Sequence, residues 1–205
     1  MAGRPRATAD YVEQRRFEIV RAASKVFAEK GYAAAQIADI AAELGIGHGT
    51  VYRYFKDKRH LLDAVIDFAI LRVAGALAND QPSADSLEEY RAQVQRIGQN
   101  LIELVLEEPD LARLLFKEAY GADQELAAKM QSAMSAFASL TEGYLVNGKK
   151  KGFFRKDFNT TIAANAINAM VFEGARQVML APDPRAAKRE WMREIPELYL
   201  SGIRR

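Results

Sequence analysis

The side chains best suited to binding another molecule are concentrated in one short stretch of this chain, residues 48–58. Tyrosines, a threonine, a histidine and several cations lie there, whereas the apolar Val51 and Phe55 are four residues apart. Hydroxyls, imidazole rings and cations hydrogen-bond to phosphates and to base edges. The chemistry predicted for this stretch is therefore noncovalent recognition of nucleic acid.

Two short helices must position these side chains. In residues 37–44 the apolar side chains recur at i, i+3, i+4 and i+7, which predicts one buried helical face. Gly45 ends this helix, because glycine accepts the left-handed conformation of a helix C-terminus. A second helix follows Gly47, with Val51 and Phe55 inward and a polar, aromatic and cationic outer face. This is the form of a DNA-recognition helix, although a helical hairpin inside an ordinary bundle has the same outline.

The flanking residues favour the first interpretation. The chain from Arg16 to Val65 resembles the tetracycline-repressor (TetR) family of bacterial transcription regulators. The matching residues are Ile19, Ala22, Ala23, Phe27, Gly31-Tyr32, Asp39-Ile40-Ala41, Leu44-Gly45-Ile46, Gly49-Thr50-Val51-Tyr52, Tyr54-Phe55 and Lys58. The resemblance implies an all-α protein of about nine helices. It also implies a three-helix helix-turn-helix DNA-binding domain over residues 1–57, followed by a helical ligand-binding and dimerisation domain over residues 58–205.

The DNA-binding residues implied by the resemblance divide by their position on the second helix. Its N-terminal residues face base edges, and its hydroxyls and a lysine face phosphates. The base-facing candidates are His48, Gly49 and Tyr52; the phosphate-facing candidates are Thr50, Tyr54 and Lys58; Arg53 is left open between phosphate, base and protein surface. Lys58 and Arg59 also oppose the dipole of the next helix, which favours DNA phosphate as their partner.

Two features outside this stretch modify the interface. Arg4 lies within a Gly-Arg-Pro segment similar to an AT-hook core, and Arg6 follows it, so one interpretation is an extended arm that enters the minor groove. A solubilising tail is the alternative. The helix from Ile37 has Ala35 and Gln36 where relatives carry a serine or threonine cap. The sequence therefore predicts a lost N-cap, at a cost of about 1 kcal/mol.

Composition excludes several other functions. The chain has no cysteine and only two histidines, His48 and His60, both in or beside the predicted DNA module. We therefore expect no enzyme active site, no metal site and no cofactor. Residues 1–60 hold eleven Lys/Arg and seven Asp/Glu, whereas the rest hold eighteen and twenty. No apolar run is long enough for a signal peptide or a membrane helix, so a cytoplasmic protein without a membrane partner is expected.

The C-terminal helices are expected to hold an effector and a second copy of the chain. The resemblance implies a cavity, for which the candidate lining is Phe68, Asn100, Leu104, Phe116, Tyr120, Met134, Phe137, Tyr144, Asn168 and Phe172. It also implies a homodimer through the last two helices. The candidate interface residues are Ile162, Ala166, Met170, Gly174, Trp191 and Leu198. Two helices packed in the core of one chain would show the same pattern.

Together these features predict a sequence-specific regulator that binds double-stranded DNA. A repressor released from a palindromic operator by a small apolar or aromatic ligand is the first interpretation. The alternative is a DNA-binding activator or architectural protein without a small-molecule switch.

Overall fold

The structure is a computed structural model that describes residues 9–78, 80–117 and 123–205, except for the side chain of Lys117. Within these ranges the chain forms nine α-helices and no strand beyond an isolated bridge between Phe154 and Arg204. The helices are α1 (Ala9–Lys30), α2 (Ile37–Glu43), α3 (His48–Tyr52), α4 (Lys58–Leu77), α5 (Leu87–Glu107), α6 (Pro109–Lys117), α7 (Gln124–Lys151), α8 (Thr160–Leu180) and α9 (Pro184–Ile203). The predicted all-α fold is confirmed.

The chain divides into two compact units. The first contains the described residues of the ranges 1–69 and 110–123, and the second contains the described residues of 70–109 and 124–205. Helix α4 is continuous through the division, so its first part belongs to one unit and its last part to the other. The functional boundary after residue 57 stays a prediction.

The first unit is held together by side chains from its successive helices. Ile19 and Phe27 of α1, Ile40 of α2 and Leu61 of α4 are all fully buried. These positions recur at helical spacing along their own segments, so the apolar stripes read from the sequence do face the core.

A Schellman motif closes α2 and sets the direction of α3. Gly45 has φ of 63°, in the left-handed region that favours glycine. The Gly45 N–H donates to the Ala42 carbonyl at 3.1 Å, and the Ile46 N–H donates to the Ala41 carbonyl at 3.0 Å. The predicted glycine turn between the two helices is therefore confirmed, with its hydrogen bonds identified.

The start of α2 differs from the sequence prediction. We expected a lost N-cap at Gln36, but the Asp39 carboxylate accepts a hydrogen bond from the Gln36 backbone N–H at 2.9 Å. Asp39 also accepts one from the Lys30 ammonium at 2.7 Å, which ties the helix start to α1. An acid three residues into the helix thus supplies part of the cap that a serine or threonine would have provided.

In the second unit, polar side chains cap the starts of three helices. The Ser86 hydroxyl accepts from the Glu89 N–H at 3.1 Å, at the start of α5. The Asn159 side chain accepts from the third residue of α8, and Asp183 does the same for α9, each at 3.0 Å. Helix α9 continues through Pro196 to Ile203.

The core of the second unit forms where α8 packs against α7 and α9 and where α5 packs against α9. Phe154, which follows α7, is 1% exposed and stacks edge-on against Tyr90 of α5. Its ring occupies the space beside Gly148, where a Cβ atom would collide with it. Close packing at this glycine therefore fixes the C-terminal turn of α7 against α5.

Candidate nucleic-acid interface and ligand cavity

Helix α3 separates a buried face from an exposed one. Val51 and Phe55 are fully buried, whereas Tyr52 is 51% exposed and His48 and Arg53 are also exposed. The prediction that Val51 and Phe55 face the protein core is confirmed. The outer face presents hydrogen-bonding and aromatic groups that the core of the unit does not use.

The exposed face is partly ordered by contacts within it. The His48 and Tyr52 rings, one helical turn apart, meet edge-on with centroids 6.5 Å apart. A Cβ atom at Gly49 would meet nothing within 4 Å, and the same holds for Gly47. The fold therefore does not require glycine at position 49, and the space beside it is open to an external partner.

Arg16 holds the C-terminal end of α3, a role that the sequence did not reveal. Its Nη1 donates to the Tyr54 backbone carbonyl at 2.8 Å, and its guanidinium lies 4.6 Å from the centroid of the Phe55 ring. Arg53 lies on the surface, with its guanidinium 5.8 Å from the centroid of the Tyr54 ring. Arg16 thus positions the segment that carries the candidate phosphate ligands, while Arg53 leaves its guanidinium at the surface.

The structure gives Lys58 a role within the protein. Its ammonium donates to the backbone carbonyls of Tyr32, Ala33 and Ala35 at 2.8, 3.2 and 2.9 Å, and lies 4.6 Å from the centroid of the Tyr32 ring. An ammonium has three N–H donors, and all three are used here. A phosphate would have to displace one of these carbonyls. To bind a DNA phosphate as predicted, Lys58 would therefore have to give up a hydrogen bond that holds α4 to the loop that precedes α2.

Arg59 also finds its partners inside the first unit. Its guanidinium pairs with Asp123 through two hydrogen bonds, one of them 3.0 Å long, and lies 3.6 Å from Asp63. Lys58 therefore has neutral carbonyl partners and Arg59 has carboxylate partners within the protein, and a further contact of either cation with DNA phosphate stays a prediction.

Of the remaining candidates for the DNA interface, two are half-buried and two lie outside the described residues. Thr50 and Tyr54 are half-buried beside the exposed face of α3. Arg4 and Arg6 lie outside the described residues, so the minor-groove arm stays a prediction.

The second unit contains a cavity of about 130 Å³ between α5, α7, α8 and α9 and the end of α4. Its lining includes four of the predicted residues: Phe137, Tyr144, Asn168 and Phe172. Phe68 and Phe116 belong to the first unit, and Leu104 and Met134 are not among the lining residues. Asn100 is exposed and donates to the Ala76 carbonyl at 3.2 Å, and Tyr120 lies outside the described residues.

Three residues predicted for the dimer interface line this cavity. Met170, Gly174 and Trp191 lie along it, and a Cβ atom at Gly174 would be 2.8 Å from the Trp191 ring. Gly174 is buried within one copy of the chain, whereas Met170 and Trp191 are half-buried, and a contact of these residues with a second copy stays a prediction. Ile162 and Leu198 are 69% and 66% exposed, and Ala166 is exposed too, so these three remain available to a second copy.

The cavity wall is apolar apart from a few hydroxyl and amide groups. Asn168 accepts a hydrogen bond from the Thr141 hydroxyl at 2.8 Å, and its buried Nδ2 has no hydrogen-bond partner among the described residues. Burial raises the pKa of Tyr90 and of Tyr144 to about 12, and raises that of Tyr199 well above its usual value. The three phenols are therefore neutral at physiological pH.

Neither of two other kinds of site occurs in the part of the chain that the structure describes. None of its helices combines the length and apolar character that a membrane crossing requires. The same residues bring no three His, Cys, Asp or Glu side chains together as metal ligands.

Comparison with known proteins identifies relatives of both parts of the chain. Residues 19–65 match the family model for bacterial regulatory proteins, tetR family. The chain is 25% identical over 156 residues to the fatty acid metabolism regulator protein of Bacillus subtilis, covering 76% of this chain and 79% of that protein. It is 33% identical over 122 residues to the HTH-type transcriptional repressor Rv3405c of Mycobacterium tuberculosis, covering 56% and 64%.

The fold is shared over almost the full length with a solved regulator. The structure of FadR from Bacillus subtilis in complex with stearoyl-CoA matches with a TM-score of 0.75 at 23% identity, covering 91% of this chain and 98% of that chain. At this identity the match shows the fold alone. The matched region of the family model, residues 19–65, contains α2, α3 and the turn between them.

Proposed function

This chain is a TetR-like protein, and from that premise we propose that it is a homodimeric transcriptional regulator that reads DNA with α3. One observation carries the proposal. Helix α3 rests on the buried Val51 and Phe55 and presents His48, Gly49 and Tyr52 outward, with no bulky neighbour beside Gly49. A helix supported in this way can enter the major groove, where its N-terminal residues meet base edges.

Two copies are needed for specific binding. A single five-residue recognition helix contacts few bases, whereas two helices about 34 Å apart can read both halves of a palindrome. The exposed apolar side chains Ile162 on α8 and Leu198 on α9 support a dimer built on these helices. Burying them against a symmetry-related copy removes apolar surface from water.

Repression relieved by a ligand is the mode of regulation that we propose. The 33% identical relative is named a transcriptional repressor, and the FadR structure was determined with stearoyl-CoA. A cavity of about 130 Å³ with an apolar wall supports a small apolar or aromatic effector here. Such a ligand weakens DNA binding only as far as it favours the conformation in which the two recognition helices no longer match the operator.

The alternative is a DNA-binding activator or architectural protein without a small-molecule switch. Titrating small apolar compounds into a complex with a selected operator distinguishes the two, because only a switch changes the DNA affinity. The proposal predicts at least a fivefold loss of affinity with some compound of this class, as typical allosteric coupling gives. An operator affinity that no such compound alters would favour the alternative.

A further inference from the structure

We infer that the cavity of the second unit selects a compact, uncharged, single-ring ligand whose hydrogen-bond acceptor meets the Asn168 amide. The role of that ligand as an effector rests on the proposed function, whereas its chemical class rests on the cavity alone.

The charge of the ligand follows from the lining. Among the described residues, those that line the cavity include no Asp, Glu, Lys, Arg or His. Its titratable groups are the phenols of Tyr90, Tyr144 and Tyr199, which are protonated far above neutral pH because burial raises the pKa of each. An ionised ligand would lose its hydration and gain no counter-charge, which is costly. The cavity therefore excludes carboxylates and ammonium groups.

The hydrogen-bonding character follows from the orientation of Asn168. The Thr141 hydroxyl donates to its Oδ1 at 2.8 Å, which leaves the amide nitrogen as the free end of the side chain. That nitrogen is buried without a partner and belongs to a residue of the cavity wall. A buried donor without an acceptor costs free energy. Because this nitrogen has essentially no accessible surface, the amide must turn toward the cavity before a ligand carbonyl, nitrile or ether can supply the hydrogen bond that the protein itself does not make.

The size follows from the volume and from two glycines. About 130 Å³ is close to the roughly 150 Å³ of an engineered apolar cavity that binds benzene. Helix α9 closes one side, where the Trp191 ring lies 2.8 Å from the position of a Cβ atom at Gly174 and the flexible end of Met192 packs against Gly98. The space as it stands accommodates one ring with a small substituent.

Three probes of one skeleton test this inference on the protein without DNA. Benzonitrile carries an acceptor, phenylacetylene has nearly the same shape without one, and benzoate is an anion. In calorimetric titrations at pH 7.5 we expect benzonitrile to bind about threefold to tenfold more tightly than phenylacetylene, the value of one net hydrogen bond. We expect no binding of benzoate. Equal affinities for the first two, binding of benzoate, or no binding of benzonitrile would overturn the inference.

A pair of variants assigns the selectivity to one side chain. Asn168→Leu should remove the preference for benzonitrile and retain phenylacetylene, whose binding also shows that the cavity is intact. Asn165→Leu is the matched control, because Asn165 lies on the exposed side of the same helix and bonds the Thr161 carbonyl. Retention of the preference in Asn168→Leu would contradict the assignment. If Asn168→Leu does not fold, the relative affinities of the unmodified protein for benzonitrile and phenylacetylene still test whether the cavity prefers a ligand with an acceptor.

A separate titration into the DNA complex tests the effector role. Selective binding of benzonitrile without any change in DNA affinity would contradict regulation by this cavity and leave the ligand class standing. Absence of binding to the protein alone would overturn the ligand class and leave DNA recognition by α3 untouched.

Discussion

At the scale of single residues, the side chains of the DNA module divide between anchors and contacts. Lys58, Arg16 and Arg59 look alike in the sequence as cations near the recognition helix, yet each has partners within the first unit. His48 and Tyr52 instead lie exposed on α3. A helical periodicity can predict that Val51 and Phe55 are buried. It cannot show that the carbonyls of residues 32–35 converge on one ammonium, because that depends on how a distant loop folds back.

Lys58→Ala should destabilise the first unit. Removing the ammonium leaves three backbone carbonyls without their donor, which should lower the free energy of unfolding by about 1–3 kcal/mol. Chemical denaturation measures this change, and Lys56→Ala is the control because that lysine is exposed and two residues away. Unchanged stability, together with a salt dependence of DNA binding that falls by about one counterion, would instead establish Lys58 as a phosphate contact.

His48→Ala and Tyr52→Ala should change which DNA sequences are preferred and leave thermal stability nearly unchanged. Both side chains are exposed, so their loss removes contacts to DNA and little packing within the protein. Selection of duplexes from a random pool with each variant measures the preference, and we expect discrimination at one base pair to fall by about 1–3 kcal/mol. If both variants recover the parental sequence, α3 does not read bases through these residues.

At the scale of the elements, local sequence signals account for several of the helix starts. The starts of α5, α8 and α9 carry Ser86, Asn159 and Asp183, whose side chains do cap the helices. The start of α2 was misread, because the residue that supplies the cap, Asp39, stands three positions inside the helix. Local patterns also cannot show which face of α8 is inward, since its composition is apolar or small on several sides. The pattern therefore cannot show that Gly174 lies against Trp191 within one copy of the chain.

Asp39→Asn should lower the melting temperature at neutral pH. The hydrogen bond from Lys30, followed by that from the Gln36 N–H, lowers the pKa of Asp39. A carboxyl with a lowered pKa stabilises the folded state above its unfolded pKa, and this contribution is lost as the pH falls through the folded pKa. The difference in melting temperature between the two proteins should therefore shrink as the pH falls below the usual range of an aspartate carboxyl.

The matched control for this pH dependence is Glu13→Gln, which removes an exposed carboxylate from α1. It should change the melting temperature little at any pH. A difference for Asp39→Asn that stays constant from pH 7 to pH 2.5 would show that the charge of Asp39 does not stabilise α2.

Gly148→Ala should destabilise the second unit. Its Cβ atom would collide with the buried Phe154 ring and lie 2.7 Å from Phe153, so the aromatic cluster would have to shift. Overpacking of this kind costs about 1–3 kcal/mol of unfolding free energy, measured by denaturant titration. Gly143→Ala on the same helix is the control, because its nearest neighbour would be Pro82 at 3.7 Å. Equal stabilities of the two variants would contradict this account of α7.

At the scale of the whole molecule, the proposed function requires a second copy of the chain and DNA. The family resemblance indicated both from the residues between Arg16 and Val65, since those residues form α2, α3 and their turn. Only some of the residues that line the cavity could be predicted from the sequence. Periodicity marks a side chain as inward, but it does not show whether that side chain meets a neighbour or an empty space. Phe137 and Tyr144 line the cavity, whereas Leu104 from a similar stripe does not.

Leu198→Glu should convert the protein to a monomer and weaken DNA binding at least tenfold. A charge on the exposed apolar face of α9 would be buried in the proposed dimer without a partner. Analytical ultracentrifugation measures the assembly, and Leu71→Glu is the control because that exposed leucine lies on α4. A dimer that survives Leu198→Glu would exclude this part of α9 from the interface.

The most direct test of the central claim is selection of bound duplexes from a random pool at near-physiological salt. A dimer that reads DNA with two α3 helices predicts a palindromic consensus with half-sites about one helical turn apart, or a multiple of it. Recovery of that palindrome by the unmodified protein would confirm a sequence-specific dimeric regulator. Recovery of sequences without any consensus, while a known repressor selects its own operator in parallel, would contradict it.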